Sequence, residues 1–259
     1  MTQTFYKYQG TGNDFVMIDN RLSVFDTHNS SLIAHLCDRR VGVGADGLIV
    51  LESDSNYDFK MVYFNADGNE STMCGNGGRC IVAFANFLGI IKSDTHFLAI
   101  DGPHLAVFNN GYVELKMQDV LSVSSKEDYF ILDTGSPHYV SITSNLETLD
   151  MASEGALVRY SKPFSSSGVN VNFAKKINKD TFAIRTYERG VEAETLSCGT
   201  GATAVAIAMF HSGQSISKVI NLKTLGGELI VRFEPQSSSY SNVWLCGPAV
   251  PVFKGTFEW

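Results

Sequence analysis

An internal repeat of about half the chain is the feature that most constrains the fold. Two cysteine motifs stand in matching settings, residues 73–78 (MCGNGG) and 197–202 (SCGTGA), and their cysteines are 124 positions apart. At the same offset Glu70 corresponds to Glu194. Self-similarity at a fixed separation is the sequence signature of a duplicated structural unit. The second half is therefore predicted to be a diverged copy of the first, with one cysteine motif in each copy.

The composition is typical of a globular protein that acts on a small molecule. The chain has 259 residues, of which 44% are hydrophobic and 18% are charged, enough for one large or two medium cores. The net charge is −7 and the basic residues are scattered, so the electrostatic footprint of a nucleic-acid or membrane-binding protein is missing. We expect a small-molecule substrate and neither nucleic acid nor membrane as partner. A monomer and a homodimer both stay open.

Cysteine usage and the start of the chain predict a cytoplasmic protein. Five cysteines are an odd number in a large chain, which argues against a secreted disulfide framework. The first ten residues lack the basic and apolar segments of a leader, and no apolar run approaches the roughly 20 residues that span a bilayer.

Hydrophobic patterning predicts an α+β fold with two pseudo-symmetric halves, each a mixed, mainly antiparallel sheet wrapped around one apolar helix. These two helices are expected at residues 77–88 and 201–211, which are apolar nearly all round and should be buried. A further helix is predicted from Leu146 to Tyr160.

A polar stretch at residues 118–128 predicts the boundary between the halves. The N-terminal half, residues 1–119, carries Cys74 and is joined by the C-terminal segment 250–259. The C-terminal half, residues 120–249, carries Cys198.

The Cys-Gly-x-Gly pattern at a helix start predicts acid–base chemistry. Glycines let the backbone approach a ligand closely, and the free N–H groups and dipole of the first turn attract a carboxylate and lower a thiol pKa. If two such helices converge on one substrate, its α-carbon lies between two sulfurs. One sulfur then removes the α-proton as thiolate, and the other delivers a proton to the opposite face. Such a reaction inverts configuration without a pyridoxal cofactor.

Seven ordered motif blocks carry a resemblance to a known family. They are residues 8–15 (YQGTGNDF), 42–47 (GVGADG), 64–68 (FNADG), 74–80 (CGNGGRC), 169–173 (VNVNF), 187–190 (YERG) and 198–202 (CGTGA). In these blocks the chain resembles the diaminopimelate epimerases over most of its length. The resemblance implies that family's fold and a cofactor-independent isomerase. Such an enzyme interconverts LL- and meso-diaminopimelate for lysine and peptidoglycan precursor synthesis.

The resemblance also implies roles for individual residues. The residues matching the family's catalytic groups are Cys74 and Cys198 as acid and base, His138 polarising a thiol, and Glu188 taking an ammonium group. The residues matching its substrate contacts are Asn13, Asn65, Gly75, Asn76, Asn170, Glu188, Arg189, Gly199 and Thr200. Arg189 is expected to form a buried fork for a carboxylate. The chain departs from the family's common pattern at Ser136, where asparagine is frequent, and at Gly47, where some members have glutamine.

Other interpretations stay open at this point. A proline racemase or hydroxyproline epimerase would share the paired cysteines, and a thiol redox or thiol-metal protein would use them differently, although neither motif has Cys-x-x-Cys spacing. Cys37, Cys80 and Cys246 are expected to be core residues. Asp14 and Asp46 are expected to form turns. No metal site is predicted, because the histidines lack ligand spacing.

Overall fold

The computed structural model describes residues 2–258, and strands dominate it. The strands, in chain order, are β1 (Thr2–Gly10), β2 (Asn13–Asp19), β3 (Gly47–Glu52), β4 (Phe59–Asn65), β5 (Glu70–Ser71), β6 (Asp94–Ala99), β7 (Gly102–Asn109), β8 (Tyr112–Lys116), β9 (Val123–Ser125), β10 (Tyr129–Asp133), β11 (Pro137–Ile142), β12 (Asn170–Lys176), β13 (Thr181–Glu188), β14 (Ala193–Thr195), β15 (Val219–Thr224), β16 (Gly227–Pro235), β17 (Tyr240–Pro248) and β18 (Val250–Glu258). The α-helices are α1 (Ser30–Cys37), α2 (Gly75–Phe87), α3 (Met151–Arg159) and α4 (Gly199–His211), and a 3₁₀ turn occupies Leu146–Thr148.

The chain divides into two compact units. The first comprises the chain up to Leu115 together with the segment from Gly247 onward, and the second comprises Lys116–Cys246. The second unit thus begins slightly before residue 120, because a backbone hydrogen bond from Met117 to Val243 holds that segment to the second unit.

In the first unit a mixed sheet surrounds helix α2. Strand β1 pairs antiparallel with β18 and β2, β2 runs parallel to β3, and β3 pairs antiparallel with β4. Strand β4 runs parallel to β6, from which β7 and β8 continue antiparallel. Helix α2 packs against β1, β2, β3 and β7, and its Ile81 and Phe84 are fully buried. Each such side chain stabilises the unit by roughly 1.5–3 kcal/mol relative to exposure.

The second unit repeats this pairing order around helix α4. Strands β10 and β11 are antiparallel, β11 runs parallel to β12, and β12 pairs antiparallel with β13. Strand β13 runs parallel to β15, and β16 and β17 follow antiparallel. Helix α4 packs against β10, β11, β12, β13, β15 and β16. Its alanine-rich sequence, buried over most of its length, lets these strands approach the helix closely.

The predicted fold class is confirmed. Each unit is a mixed, mainly antiparallel sheet around one apolar helix, and helices α2 and α4 start and end at the same offset that relates the two cysteine motifs. Both helices begin two residues earlier than predicted, at Gly75 and Gly199, because the cysteine itself is the N-cap residue.

The single helix predicted from Leu146 to Tyr160 is wrong. Leu149 is extended, with φ −67° and ψ 129°, and separates the 3₁₀ turn from helix α3. The carboxylate of Asp150 then caps α3 by accepting a hydrogen bond from Ser153 N. An aspartate that accepts such a bond starts a new helix, so hydrophobic spacing alone joined two elements that the backbone separates.

Candidate active site

Cys74 caps the N-terminus of helix α2. Its backbone is extended, with φ −98° and ψ 150°, and its Sγ accepts a hydrogen bond from Gly77 N at 3.2 Å. The sulfur thereby takes the place of the usual N-cap oxygen and satisfies one of the N–H groups that a helix start leaves without an intrahelical partner. The positive end of the helix dipole therefore points at this sulfur, which favours negative charge there.

The buried guanidinium of Arg79 orients the amide of Asn76. It donates to Asn76 Oδ1 at 3.0 Å, to Thr11 Oγ1 at 3.1 Å and to Gly75 O at 3.2 Å. Because Asn76 Oδ1 accepts from Arg79, its Nδ2 is turned toward Asn13, whose Oδ1 lies 3.4 Å away. The structure thus brings Asn13 and Asn76 together, although they are 63 positions apart in sequence.

An ion network stands behind Asn13. Asp14 accepts from Lys7 at 2.7 Å and from Arg39 at 2.6 Å, and Arg39 also reaches Asp46 at 2.7 Å. Asp46 Oδ2 in turn accepts from Asn13 Nδ2 at 2.5 Å. Burial raises the pKa of Asp14, but the hydrogen bonds and charges of Arg39 and Lys7 outweigh burial and hold that pKa well below its usual range. Both aspartates form ion pairs rather than the simple turns expected from sequence.

Asn65 lies apart from this group. It is exposed at the end of β4, where its backbone N donates to Asn69 O and its backbone O accepts from Gly68 N. Within the described residues its side chain makes no hydrogen bond, so the first unit does not join Asn65 to the Asn13 and Asn76 pair.

Cys198 caps helix α4 in the position equivalent to that of Cys74, with different neighbours. It is 6% exposed, and its Sγ lies 3.4 Å from Thr200 Oγ1. The backbone oxygen of Thr200 accepts from Thr134 Oγ1 at 2.9 Å, which fixes the first turn of the helix to the end of β10. Thr200 Oγ1 also lies 3.5 Å from Ser136 Oγ.

His138 on β11 is completely buried. Its Nδ1 lies 3.0 Å from Asn172 Nδ2, and its Nε2 lies 3.1 Å from Ser136 Oγ. Burial, and secondly the charge of Arg189, lowers the pKa of His138 to about 3, so the ring is neutral near pH 7. The structure therefore connects His138 to Cys198 through Ser136 and Thr200.

Asn170, which pairs with His138 across the parallel strands β11 and β12, has a fixed amide orientation. Its Oδ1 accepts from Arg189 N at 2.9 Å, and its Nδ2 donates to Ser136 Oγ at 3.1 Å and to Pro137 O at 3.3 Å. Asn170 and His138 thus meet at the hydroxyl of Ser136.

The side chain of Arg189 is not buried, contrary to the expectation from sequence. Arg189 is exposed, because it follows the end of β13, and its Nη1 donates to Ser167 O at 3.1 Å. The neighbouring Glu188 is the last residue of β13, and its Oε2 accepts from Thr195 Oγ1 at 2.9 Å. The two side chains therefore lie in different environments: Arg189 is exposed, and Glu188 is hydrogen-bonded to the adjacent strand β14.

The other cysteines lie in the core. Cys37, Cys80 and Cys246 are all buried. Burial raises the pKa of Cys37 and of Cys80 to about 12, so neither thiol forms a thiolate near neutral pH. These residues behave as small hydrophobic side chains.

Asn172 is a site residue that sequence reasoning missed. It is fully buried on β12, where its Nδ2 donates to Tyr139 O at 2.9 Å and its Oδ1 accepts from Thr186 Oγ1 at 2.9 Å. The sequence does contain a pattern that indicates this residue. Asn170 and Asn172 alternate with apolar residues, which places both on one face of a strand. Because a buried amide needs hydrogen-bond partners, such a pair points to a polar network.

Residues 2–258 contain neither a metal-binding cluster nor a membrane-spanning helix. No group of three or more histidine, cysteine, aspartate or glutamate side chains is arranged to hold a metal ion. No helix in the same range combines the length and apolar character needed to cross a membrane.

The fold and these residues define a class: a duplicated α+β protein with one helix-capping cysteine in each repeat. The family model described as "Diaminopimelate epimerase" matches residues 5–119 and 130–250. A relative named diaminopimelate epimerase from Flavobacterium psychrophilum is 56% identical over 97% of this chain and 98% of the relative. A second, from Chlorobaculum tepidum, is 42% identical over 95% of this chain and 98% of the relative. The chain belongs to the diaminopimelate epimerase family.

Solved structures support the fold at lower sequence similarity. A phenazine biosynthesis protein of the PhzF family from Bacillus anthracis has a TM-score of 0.77 at 12% identity and covers 100% of both chains. A hydroxyproline epimerase from Agrobacterium vitis, solved with bound trans-4-hydroxy-L-proline, has a TM-score of 0.70 at 13% identity, over 98% of this chain and 92% of that one. At such identities the likeness establishes the fold alone.

Proposed function

We propose that this protein is a diaminopimelate epimerase, which interconverts LL- and meso-diaminopimelate by inverting one α-carbon. One observation carries the mechanism: Cys74 and Cys198 cap equivalent buried helices in two copies of one topology. A two-base reaction, in which one group removes a proton from one face of a carbon and another delivers a proton to the opposite face, needs two such groups. Membership of the family supports the choice of substrate.

The proposed reaction moves one proton off the α-carbon and one onto it. The thiolate of one cysteine takes the α-proton and becomes a thiol, and the electron pair left on carbon is delocalised into the adjacent carboxylate. The thiol of the other cysteine then gives its proton to the opposite face and becomes a thiolate. Configuration is inverted, the sulfurs have exchanged protonation states, and no cofactor takes part.

The helix starts provide the electrostatic part of this proposal. We assign the substrate α-carboxylate to the backbone N–H groups of Gly75 and Asn76 on one helix and of Gly199 and Thr200 on the other. N–H groups at helix N-termini bind anions, and donors aimed at developing charge stabilise it without reorganisation. The same groups would therefore bind the carboxylate and stabilise the carbanion that forms next to it.

Recognition of the second amino acid end is assigned to polar groups around these helices. We propose that Asn13, Asn65, Asn170 and Arg189 bind the rest of the substrate and that Glu188 takes an ammonium group. The neutral ring of His138 supports the thiol of its own unit through the hydrogen bonds described above. We place the activity in the cytoplasm, in the supply of lysine and of peptidoglycan precursors.

The test is isotope exchange with LL-diaminopimelate in deuterium oxide. In a two-base reaction the group that delivers the new proton has exchanged with solvent, while the group that removes the old proton has not. We therefore expect deuterium in the newly formed meso isomer before it enters the recovered LL isomer. Proton NMR and chiral chromatography of early time points measure both.

Two outcomes would refute parts of this proposal, and a third would show that the assay does not test it. Equal early labelling of both isomers would contradict two-base transfer. Turnover of proline or trans-4-hydroxyproline in place of diaminopimelate would favour the racemase interpretation. Loss of exchange in Cys37→Ala, the buried control, to the same degree as in Cys74→Ala would show that the assay reports folding rather than chemistry.

A further inference from the structure

The hydrogen bonds around Ser136 have one allowed direction, and that direction leads to Thr200, whose hydroxyl lies beside Cys198. The starting point is Asn172, whose Nδ2 faces the carbonyl oxygen of Tyr139 at 2.9 Å. A carbonyl oxygen only accepts, so this nitrogen donates, and it also donates to His138 Nδ1 at 3.0 Å. His138 Nδ1 is therefore an acceptor, and the proton of the neutral ring resides on Nε2.

Two donors then converge on the hydroxyl of Ser136. One is His138 Nε2 at 3.1 Å, and the other is Asn170 Nδ2 at 3.1 Å, whose orientation is fixed because Asn170 Oδ1 accepts from Arg189 N. A hydroxyl oxygen has two acceptor lone pairs and one hydrogen. Both lone pairs of Ser136 are occupied, so its hydrogen is given away.

The partner for that hydrogen is Thr200 Oγ1, 3.5 Å from Ser136 Oγ. Thr200 Oγ1 accepts it, and its hydroxyl lies 3.4 Å from the sulfur of Cys198, where either atom can donate while the sulfur is a thiol. A thiolate has no hydrogen, so in that state Thr200 is the donor and Cys198 the acceptor. Asn172, His138 and Ser136 thus each donate to the next group as far as Thr200, and Thr200 donates to Cys198 when that sulfur is a thiolate.

We propose that Ser136 and Thr200 are positioning residues that deliver a directed hydrogen bond to the thiolate of Cys198 and thereby stabilise it. The proposal rests on the proposed function for its catalytic meaning, since it supplies the support that an acid–base thiol needs. It concerns Cys198 alone, because Cys74 Sγ accepts from a backbone N–H instead.

Serine at position 136, where the family frequently has asparagine, has a specific function in this hydrogen-bond chain. The Ser136 hydroxyl accepts hydrogen bonds from His138 and Asn170, and this leaves its own hydrogen free to be donated to Thr200. An alanine at 136 would leave the donors of His138 and Asn170 without this acceptor, and Thr200 would lose the group that fixes the direction of its hydroxyl.

The experiment measures the pH dependence of alkylation at each cysteine in the reduced, full-length protein without substrate. Iodoacetamide is the probe, and peptide mass spectrometry separates Cys198 from Cys74. Because a hydrogen bond to a charged group stabilises it, we expect Thr200→Val to raise the Cys198 alkylation midpoint by about one pH unit. Ser136→Ala should raise it by less, and the Cys74 midpoint should stay unchanged in both variants.

Matched variants separate the hydroxyl from its surroundings. Thr200→Ser keeps the hydroxyl and should keep the parent midpoint, and Ser141→Ala, on the same strand as His138, should also keep it. The ionisable groups at the near ends of strands packed against α4 are Asp133 on β10, His138 on β11, and Glu188 and Arg189 at the end of β13, and they are identical in all variants. Circular dichroism confirms that each variant is folded.

The proposal is overturned by any of three results: an unchanged Cys198 midpoint in Thr200→Val, an unchanged midpoint in Ser136→Ala, or equal shifts in Thr200→Val and Thr200→Ser. Because no substrate is present, these results do not depend on whether diaminopimelate is the substrate. A failure of the isotope-exchange test would leave this measurement intact, and the reverse also holds.

Discussion

The equivalent glycines of the two cysteine motifs should respond very differently to alanine. Gly77 and Gly201 hold the same position in helices α2 and α4, two residues into each helix. A Cβ at Gly201 would lie 2.5 Å from Asn172 Oδ1, far inside normal contact. A Cβ at Gly77 would meet Ile49 Cδ1 at 3.1 Å and Cys74 Sγ at 3.2 Å. The first clash is with a fixed buried amide, whereas a small movement of the Ile49 side chain relieves the closest contact at Gly77.

The magnitude follows from what Asn172 would lose. Moving its Oδ1 breaks the hydrogen bond from the buried Thr186 Oγ1, and an unsatisfied buried group costs about 1–3 kcal/mol. Alanine regains up to about 1 kcal/mol of helix propensity over glycine. With the full propensity gain subtracted, the net loss expected for Gly201→Ala is up to about 2 kcal/mol of unfolding free energy. Gly77→Ala should stay within about 1 kcal/mol of the parent, because the same propensity gain offsets a smaller contact penalty.

Urea denaturation followed by far-UV circular dichroism measures both variants, and a lower midpoint at unchanged slope reports lost stability. The double variant Gly201→Ala with Asn172→Ala supplies the control, since residues in contact show non-additive effects. Without the amide, the alanine at 201 should cost little. Equal losses at Gly77 and Gly201, or strict additivity in the double variant, would refute the steric argument.

Three further predictions concern the thiols, the ion network and the distal end of the substrate. Cys74→Ala and Cys198→Ala should each lower epimerase turnover by at least about 10² to 10⁴, the range of general acid–base catalysis, while Cys37→Ala stays near the parent in the same coupled assay. The pKa of Asp14 is lower in the folded than in the unfolded protein, so its ionised carboxylate stabilises the fold above the unfolded pKa. That stabilisation is lost as the pH falls through the folded pKa. The loss of unfolding free energy with falling pH should therefore be less steep in Asp14→Asn than in the parent. Arg189→Lys should raise KM for diaminopimelate and leave thiol alkylation unchanged, because one ammonium cannot reproduce a planar two-donor contact.

Local features of the sequence were sufficient to predict the helices that carry the cysteines. A cysteine followed by two nearby glycines and then an apolar run indicates both the helix start and its burial, and the structure places Cys74 and Cys198 at the N-caps. The repeat offset then predicted that the second unit copies the first. Because these signals are local or periodic, they can be recognised in the sequence without knowledge of tertiary contacts.

The hydrogen-bond partners of these cysteines could not be predicted in the same way. Ser136 and Thr200 are 64 positions apart, and their approach depends on strands that bring the end of β10 to the start of α4. The exposure of Arg189 likewise depends on where β13 ends. Sequence spacing contains no direct measure of such distances, so residue types were predicted better than their partners.

The different neighbours of the two cysteines have a consequence for the resting enzyme. Under the proposed reaction each turnover moves the single shared proton from one sulfur to the other, so the unliganded protein exists as two protonation isomers. Symmetric surroundings would populate them equally. A hydroxyl neighbour at Cys198 and a backbone donor at Cys74 make the populations unequal, and each substrate stereoisomer binds productively to a different isomer. After every turnover the two sulfurs must therefore regain their original protonation states, by proton exchange with solvent, before the same stereoisomer can react again. At high substrate concentration this exchange becomes a separate step in the kinetic cycle.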